Sequence, residues 1–300
     1  MSIVIVGAGS VGLLLGSYLA ESGIDVTMFV RREEQKSLIE QEGIRRLNED
    51  GTESVFFVDA TTDMGVLDGS QLLIVAVKYA HLHRFLERLI QEGIQSPLLF
   101  IQNGIGHLAA VKETDFPDIA FATVEHGALR IDDRTVSHNG VGALTIGAGF
   151  GDAKEFDIME KADSEKFPVA RHVDAEHILM RKVMINCMIN PLTAILEVEN
   201  GELLTNDSCY TLFKRLHEEL MVAFPEMVPV LSLDSAEAVC RLTANNKSSM
   251  LSDRLAGRPM EIETIVTAVI RKAQAANKKV PLLEMLEKML YALDGKGEVR

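Results

Sequence analysis

Lys182, Asn186 and Asn190 recur at i, i+4 and i+8 in Arg181-Lys182-Val-Met-Ile-Asn186-Cys-Met-Ile-Asn190-Pro191-Leu-Thr193. That spacing sets the three in one stripe along a helix whose other positions are mostly apolar. Asparagine is a poor helix former and costly to bury unpaired, so two of them on such a helix need partners. Two outcomes stay open: they satisfy neighbouring backbone, or they line a cleft and hold a polar substrate. A second polar set follows, where Asn245-Asn246-Lys247-Ser248-Ser249 precedes Asp253 and Glu261 comes after Pro259. Ser249 and Asp253 share a face if that segment is helical. Glu261 opens a helix, where a carboxylate is also ordinary helix chemistry.

A different chemistry is written near the N-terminus. Gly7-Ala8-Gly9-Ser10-Val11-Gly12 follows the β-branched run Ile3-Val-Ile-Val6 and leads into a leucine-rich stretch. In that context a G-x-G-x-x-G has defined duties. The first glycine permits a tight turn, the second admits a pyrophosphate to the backbone, and the third lets helix and sheet pack closely. The helix N-terminus at Ser10 and Val11 offers N–H groups to the phosphates. This predicts a dinucleotide site; a turn that merely packs, or a flavin or methyl-donor site, uses similar geometry.

At the end of the second strand, Asp25-Val-Thr-Met-Phe-Val30 runs into Arg31-Arg32. An enzyme selecting NAD is expected to carry an acid there for the ribose 2′-hydroxyl, whereas a guanidinium takes a 2′-phosphate bidentately. Arg31 therefore points to NADPH, against the alternative of a solvated arginine pair. Ligands of open parallel sheets sit beyond the carboxyl ends of the strands. Two further strand ends carry suggestive residues, Lys78, suited to phosphate or substrate, and Asn103, suited to the nicotinamide or the substrate.

These residues need elements to hold them. Short apolar runs (Ile3 to Val6, Val26 to Val30, Leu72 to Val77, Leu98 to Ile101) alternate with helix-like stretches such as Glu33 to Glu42 and Leu82 to Gln91. That pattern predicts a mostly parallel sheet covered on both faces, a Rossmann-type α/β domain over residues 1–174. Phe121 to Arg130, Thr135 to His138 and Ala143 to Ile146 read as an antiparallel extension built of hairpins. Beyond Asp174 the strand signals fade and helical periodicity runs through 176–195, 208–224, 235–245, 261–277 and 282–292. A second, all-helical domain over 175–300 is expected.

The 300 residues carry 30 basic and 44 acidic side chains, a formal charge of −14. That balance argues against a duplex nucleic-acid binder or an acidic membrane surface as partner, without excluding a small anion. Much of the acidity precedes residue 175, including the run from Asp152 to Glu165, which is expected to be a solvated surface segment. Cys187, Cys209 and Cys240 lie far apart without C-x-x-C spacing, which fits a reducing cytoplasm better than a disulfide framework or zinc site. Ile3 to Ala20 is a charge-free run of 18 residues containing Gly12-x-x-x-Gly16. Its glycines and its β-branched and leucine-rich halves make it a buried strand, turn and helix instead of a signal peptide or anchor.

Taken in order, Gly7-x-Gly9-x-x-Gly12, Lys78, Gln102-Asn103-Gly104-Ile105-Gly106, the Lys182–Asn186–Asn190 helix, Ser248-Ser249-Met250-Leu251-x-Asp253 and Glu261-Ile262 resemble the ketopantoate reductase family over essentially the whole chain. The resemblance implies NADPH and a 2-oxo acid bound between a Rossmann-type and a helical domain, and a place in pantothenate and coenzyme A synthesis. It implies that Lys182 is the general acid, protonating the carbonyl oxygen as hydride arrives, and that Glu261 orients substrate. Asn103, Asn186, Asn190 and Ser249 would hold carboxylate and hydroxyl groups, and Lys78 would assist near the cofactor. The chemistry is coherent: hydride addition builds negative charge on oxygen, which a cation with a transferable proton stabilises. Two departures, Glu125-His126 and His107, bear on which side chain fits the pocket. A paralogue acting on another 2-oxo acid and a non-catalytic dinucleotide sensor are the alternatives. Oligomeric state stays open, a homodimer among the options.

Overall fold

The computed structural model describes residues 3–112 and 114–295. The chain divides into two units, one drawn from Met1–Gln102 and Ala110–Leu179, the other from Asn103–Ala109 and Met180–Arg300.

The first unit begins with β1 (Ile3–Val6), α1 (Ser10–Glu21), β2 (Val26–Phe29) and α2 (Glu33–Glu42). β3 (Ile44–Leu47), β4 (Glu53–Phe56), β5 (Asp59–Thr61), β6 (Leu72–Val75), α3 (Tyr79–Gln91) and β7 (Leu98–Phe100) follow. α4 (Gly106–Lys112) straddles the two units, and β8 (Ile119–Val124), β9 (Gly127–Arg130), β10 (Thr135–Gly140), β11 (Leu144–Phe150) and β12 (Val169–His172) complete the strands. Eight strands form one sheet in the order β12-β11-β8-β7-β6-β1-β2-β5. From β8 to β5 all neighbours pair in parallel, and β11 runs antiparallel to β8. β1, β6 and β7 are fully buried, as expected of parallel strands covered on both faces.

The remaining strands form a separate four-stranded sheet, β4-β3-β10-β9. The apolar run Phe121 to Arg130, expected to be one continuous strand, breaks at Glu125-His126 into β8 of the large sheet and β9 of the small one. The antiparallel pairs are therefore real but divided between two sheets.

α1 is packed by both sheets, which is why its sequence is charge-free until Glu21 and apolar on every face. A Cβ at Gly16 would lie 2.9 Å from Ile44 of the small sheet and 3.0 Å from Met28 of the large one. Gly12-x-x-x-Gly16 is thus a helix pressed between two sheets. Tyr18 of α1 stacks on Phe167 at 4.5 Å, and the buried Arg46 guanidinium sits 3.7 Å from its ring centre while pairing with Glu21 at 2.8 Å. The Tyr18 hydroxyl lies 2.8 Å from His138 Nδ1, and His138 Nε2 lies 3.1 Å from His126 Nδ1. His126 therefore belongs to the polar seam between α1 and the small sheet. A cavity of about 250 Å³ opens beside this seam, lined by Tyr18, Asn48, Asp50, His138 and Lys166 among others, and it contains none of the residues singled out for chemistry.

The acidic segment is not simply solvated. Ala153–Ala162 winds as a 3₁₀ helix whose Phe156, Met159 and Ala162 are buried in the core while the charged positions between them mostly face outward. Apolar residues every third position match the three-residue turn of that helix, a period the density of charge obscured.

The second unit is built of helices among its described residues. α5 (Ala175–Leu196), α6 (Glu202–Thr205), α7 (Asp207–Ala223), α8 (Leu233–Leu242), α9 (Ser249–Leu255), α10 (Ala268–Ala275) and α11 (Pro281–Leu293) follow in order. A π-helical turn, Glu263–Thr267, leads directly into α10. α5 is long and apolar enough to cross a membrane, yet 78% of its most hydropathic window is buried inside the protein, which makes it a core helix. Pro191 sits within α5 without ending it.

Candidate active site

In the first unit the glycine turn takes the shape its sequence demands. Gly7 has φ +108°, and its N–H bonds the Phe29 carbonyl at 2.9 Å, tying the turn to β2. A Cβ on Gly12 would stand 2.0 Å from the Gly7 oxygen, so the helix can start this close to the turn only with glycine there. A Cβ on Gly9, by contrast, would meet nothing within 4 Å. Gly9 is the N-cap of α1, no side chain caps that end, and the first turn carries no acid. Ser10, Val11 and Gly12 thus form an uncapped helix start beneath an open glycine, the arrangement that accepts a phosphate. The residues present fit a dinucleotide.

The two arginines after β2 have different fates. Arg32 pairs with Asp133 at 2.7 Å. Arg31 is exposed and has no ion-pair or hydrogen-bond partner among the described residues, so its guanidinium is available to a ligand. Lys78 is exposed and is the N-cap of α3, directly after Ala76 and Val77, whose atoms would lie 3.3 Å from a Cβ on Gly7. Gln102, to which the sequence reading gave no role of its own, is buried, and its Nε2 donates to the carbonyls of Val75 at 2.8 Å and Val77 at 3.1 Å. It ties the end of β7 to the loop that carries Lys78.

In the second unit, Lys182, Asn186 and Asn190 share the predicted stripe of α5. Lys182 Nζ donates to Asn103 Oδ1 at 2.9 Å, and Asn103 Nδ2 reaches Glu261 Oε2 at 3.4 Å. One asparagine thereby links the lysine and the glutamate, residues far apart in the chain. Two turns further along the stripe, Asn190 is buried and its Nδ2 donates to Ser249 Oγ at 3.4 Å. The neighbouring Ser248 caps α9 by accepting the Leu251 N–H, and takes a 2.7 Å hydrogen bond from Thr193 Oγ1. Asn186, between the two clusters and half-buried, has no hydrogen-bond partner among the described residues. Asp253 does lie on α9 with Ser249, but it pairs with Arg258 at 2.7 Å. His107 is fully buried at the start of α4, and burial pushes its imidazole down to about 4. It stays neutral at physiological pH and adds no charge beside Asn103.

The resemblance set Lys182, Glu261 and Asn103 in one site, but the hydrogen bonds that join them and the reason for a glycine at 104 come from the fold. A Cβ there would fall 2.1 Å from the Thr264 carbonyl oxygen. In the sequence this glycine stands in the Gln102-Asn103-Gly104-Ile105-Gly106 motif and in an Asn-Gly pair, which marks a turn.

A glycine turn at the first strand-to-helix junction of a parallel sheet, joined to a helical unit presenting a lysine on an asparagine and a glutamate, defines a two-unit oxidoreductase of the Rossmann type. Comparison with known proteins gives the family. A family model described as ketopantoate reductase PanE/ApbA matches residues 3–150, and one for the C-terminal part of the same family matches 174–294. A 2-dehydropantoate 2-reductase of Bacillus subtilis is 37% identical, with 98% of each chain covered, and one of Listeria innocua is 34% identical over 100% of this chain and 99% of the relative. The crystal structure of a probable 2-dehydropantoate 2-reductase from Bacillus subtilis has a TM-score of 0.85 at 34% identity, covering 98% of this chain and 100% of that one. A ternary structure of D-mandelate dehydrogenase with NADH and anilino(oxo)acetate, at 22% identity and a TM-score of 0.83 over 98% and 99% of the chains, shares the fold. The chain belongs to the ketopantoate reductase family.

Proposed function

We propose that this protein is an NADPH-dependent reductase converting 2-dehydropantoate to pantoate, the activity named for its relatives of 34–37% identity. The observation that carries the mechanism is the hydrogen bond from Lys182 Nζ to Asn103 Oδ1. The amide oxygen holds the ammonium in one place without neutralising it, so the lysine keeps a proton to give. A dinucleotide held by the glycine turn would supply the hydride that the carbonyl carbon of a 2-oxo acid takes up. Lys182 stabilises the negative charge that develops on the carbonyl oxygen and transfers its proton there, leaving a 2-hydroxy acid.

Glu261, 3.4 Å from Asn103 Nδ2, fixes the amide so that Oδ1 faces the lysine, and accepts a substrate hydroxyl. Asn186, with its amide uncommitted, and the Asn190–Ser249 pair supply donors for the substrate's carboxylate and hydroxyl groups. In the first unit, Gly7, Gly9, Ser10, Val11 and Gly12 hold the pyrophosphate, Arg31 takes the 2′-phosphate, and Lys78 lies beside the cofactor. The nucleotide-binding role is assigned to residues 1–174 and the substrate role to 175–300, with Asn103 serving both ligands. The three cysteines are free and buried, which suits a reducing cytoplasm.

The test is NADPH oxidation by the purified protein with 2-dehydropantoate beside a panel of other 2-oxo acids. A kcat/KM for dehydropantoate at least tenfold above the rest is expected. Equal rates across the panel replace the specific substrate with a paralogue's, and binding of NADPH without oxidation by any 2-oxo acid leaves a sensor.

A further inference from the structure

Five residues, Glu263–Thr267, wind as a π-helix immediately after Glu261-Ile262. The N–H of Ala268 reaches back five residues to the Glu263 carbonyl. In an α-helix that N–H would bond Thr264 instead, so the π turn releases the Thr264 carbonyl from its usual donor. The released oxygen is taken from outside the helix: the Ile105 N–H donates to it at 3.1 Å. The adjacent Ile265 carbonyl also receives an outside donor, the buried Cys187 Sγ of α5 at 3.4 Å. Burial pushes that thiol well above its ordinary range and keeps it protonated, as a donor must be.

Gly104 makes the seat possible. Its φ is +81°, and a Cβ would stand 2.1 Å from the Thr264 oxygen, 2.6 Å from its carbon and 3.0 Å from its Cβ. Backbone lies directly on backbone, which no other residue permits. Asn103 is the residue just before Gly104, so the seat sets where its amide stands, and that amide joins Lys182 to Glu261. The π turn thus receives the Asn103 turn at Thr264 and the Lys182 helix at Ile265, from a start two residues after Glu261. All three groups of the cluster are referred to one short stretch of backbone.

We propose that Gly104 and Ile105, seated on the Thr264 carbonyl, form a positioning clamp for the reduction, acting through Asn103 on the Lys182 ammonium; this rests on the function proposed above. Neither residue has a polar side chain with which to act on substrate itself. Their effect is on aim, and misplacing a reacting group by about 1 Å costs on the order of 10²-fold in rate.

The test is steady-state kinetics of Gly104→Ala, Asn103→Ala and the double variant, with dinucleotide affinity measured directly. Gly104→Ala is expected to lower kcat by roughly 10²-fold while dinucleotide affinity changes far less, because the glycine turn that holds the pyrophosphate belongs to the other unit. In the Asn103→Ala background the same substitution is expected to cost less than about threefold, since the residue it acts through is gone. A Gly104→Ala enzyme at full speed, or losses that multiply in the double variant, overturns the clamp. Amide exchange of the wild-type enzyme decides the matter if Gly104→Ala does not fold. Protection of the Ile105 amide comparable with α10 supports the seat, and exchange at loop rates overturns it. Wild-type turnover separates the two ideas: an inactive wild type refutes the reductase, whereas an active wild type with an active Gly104→Ala refutes only the clamp.

Discussion

The side-chain oxygen of Asn103 accepts a hydrogen bond from the Lys182 ammonium at 2.9 Å across 79 residues of chain, and the nitrogen of the same amide lies 3.4 Å from Glu261. An amide is suited to this place because it offers an acceptor to the cation and a donor to the carboxylate at once. Asn103→Asp keeps the shape and loses the donor toward Glu261, setting two carboxylates side by side. A fall in kcat on the order of tenfold to a hundredfold is expected, larger than any change in dinucleotide affinity; titration and stopped-flow reduction check the two quantities separately.

Lys182 carries the proton in the proposed step. Lys182→Ala is expected to reduce kcat by about 10²–10⁴ while dinucleotide binding persists. A loss below tenfold removes Lys182 as the general acid.

The arginine pair gives a contrast within two adjacent residues. Arg32 is held by Asp133, whereas Arg31 has no such partner among the described residues. Arg31→Ala should raise the KM for NADPH by roughly ten- to a hundredfold and leave NADH almost unaffected, the scale of a lost charge-assisted hydrogen bond. Arg32→Ala should change the ratio little, since it removes an exposed, solvent-screened ion pair with Asp133. The measurement is the NADPH-to-NADH preference of each variant.

Gly12→Ala would place a methyl group 2.0 Å from the Gly7 oxygen, so strand, turn or helix has to shift. Dinucleotide affinity should fall at least about tenfold, and Tm by several degrees, roughly the response to 1 kcal/mol or more in a protein of this size. Calorimetry with and without NADPH distinguishes the two effects.

Stability should fall in acid partly through buried imidazoles. Burial holds His107 down to about 4 and lowers His138 as well, so the folded protein favours their neutral forms. An unfolded histidine takes up its proton near pH 6.5. The stabilisation from His107 is therefore complete above about pH 6.5 and is lost as pH falls through that value toward 4, at up to about 1.4 kcal/mol per pH unit for one proton. Urea unfolding of wild type and His107→Gln between pH 7.5 and 4.5 measures it; a variant with the same slope as wild type refutes the assignment.

Much of this was legible in the chain because strong local signals coincide with structure. The β-branched run, glycine turn and leucine-rich stretch became β1 and α1, and the polar stripe of α5 lies where its period put it. The small sheet was only half legible: its antiparallel β9–β10 pair was expected, but β3 and β4 were not. β3 and β4 are four residues each, with partly exposed faces and charged positions such as Arg45, Arg46 and Glu53, so neither shows an apolar run. Arg31 and Arg32 look alike in sequence; only the partner Asp133, a hundred residues away, tells them apart. The π turn leaves no sequence signature because its hydrogen-bond shift is set by what docks on it.

The excursion of Asn103–Ala109 into the second unit has a consequence for recombining members of this family. The backbone passes from one unit to the other after Gln102, returns after Ala109, and passes again after Leu179. A chimera that exchanges everything beyond residue 179 inherits the donor's lysine and glutamate but keeps the host's asparagine and its host-shaped turn. Transplants carrying residues 103–109 together with the segment beyond 179 should outperform those that exchange that segment alone, because the shorter graft splits a single hydrogen-bonded cluster between two parents.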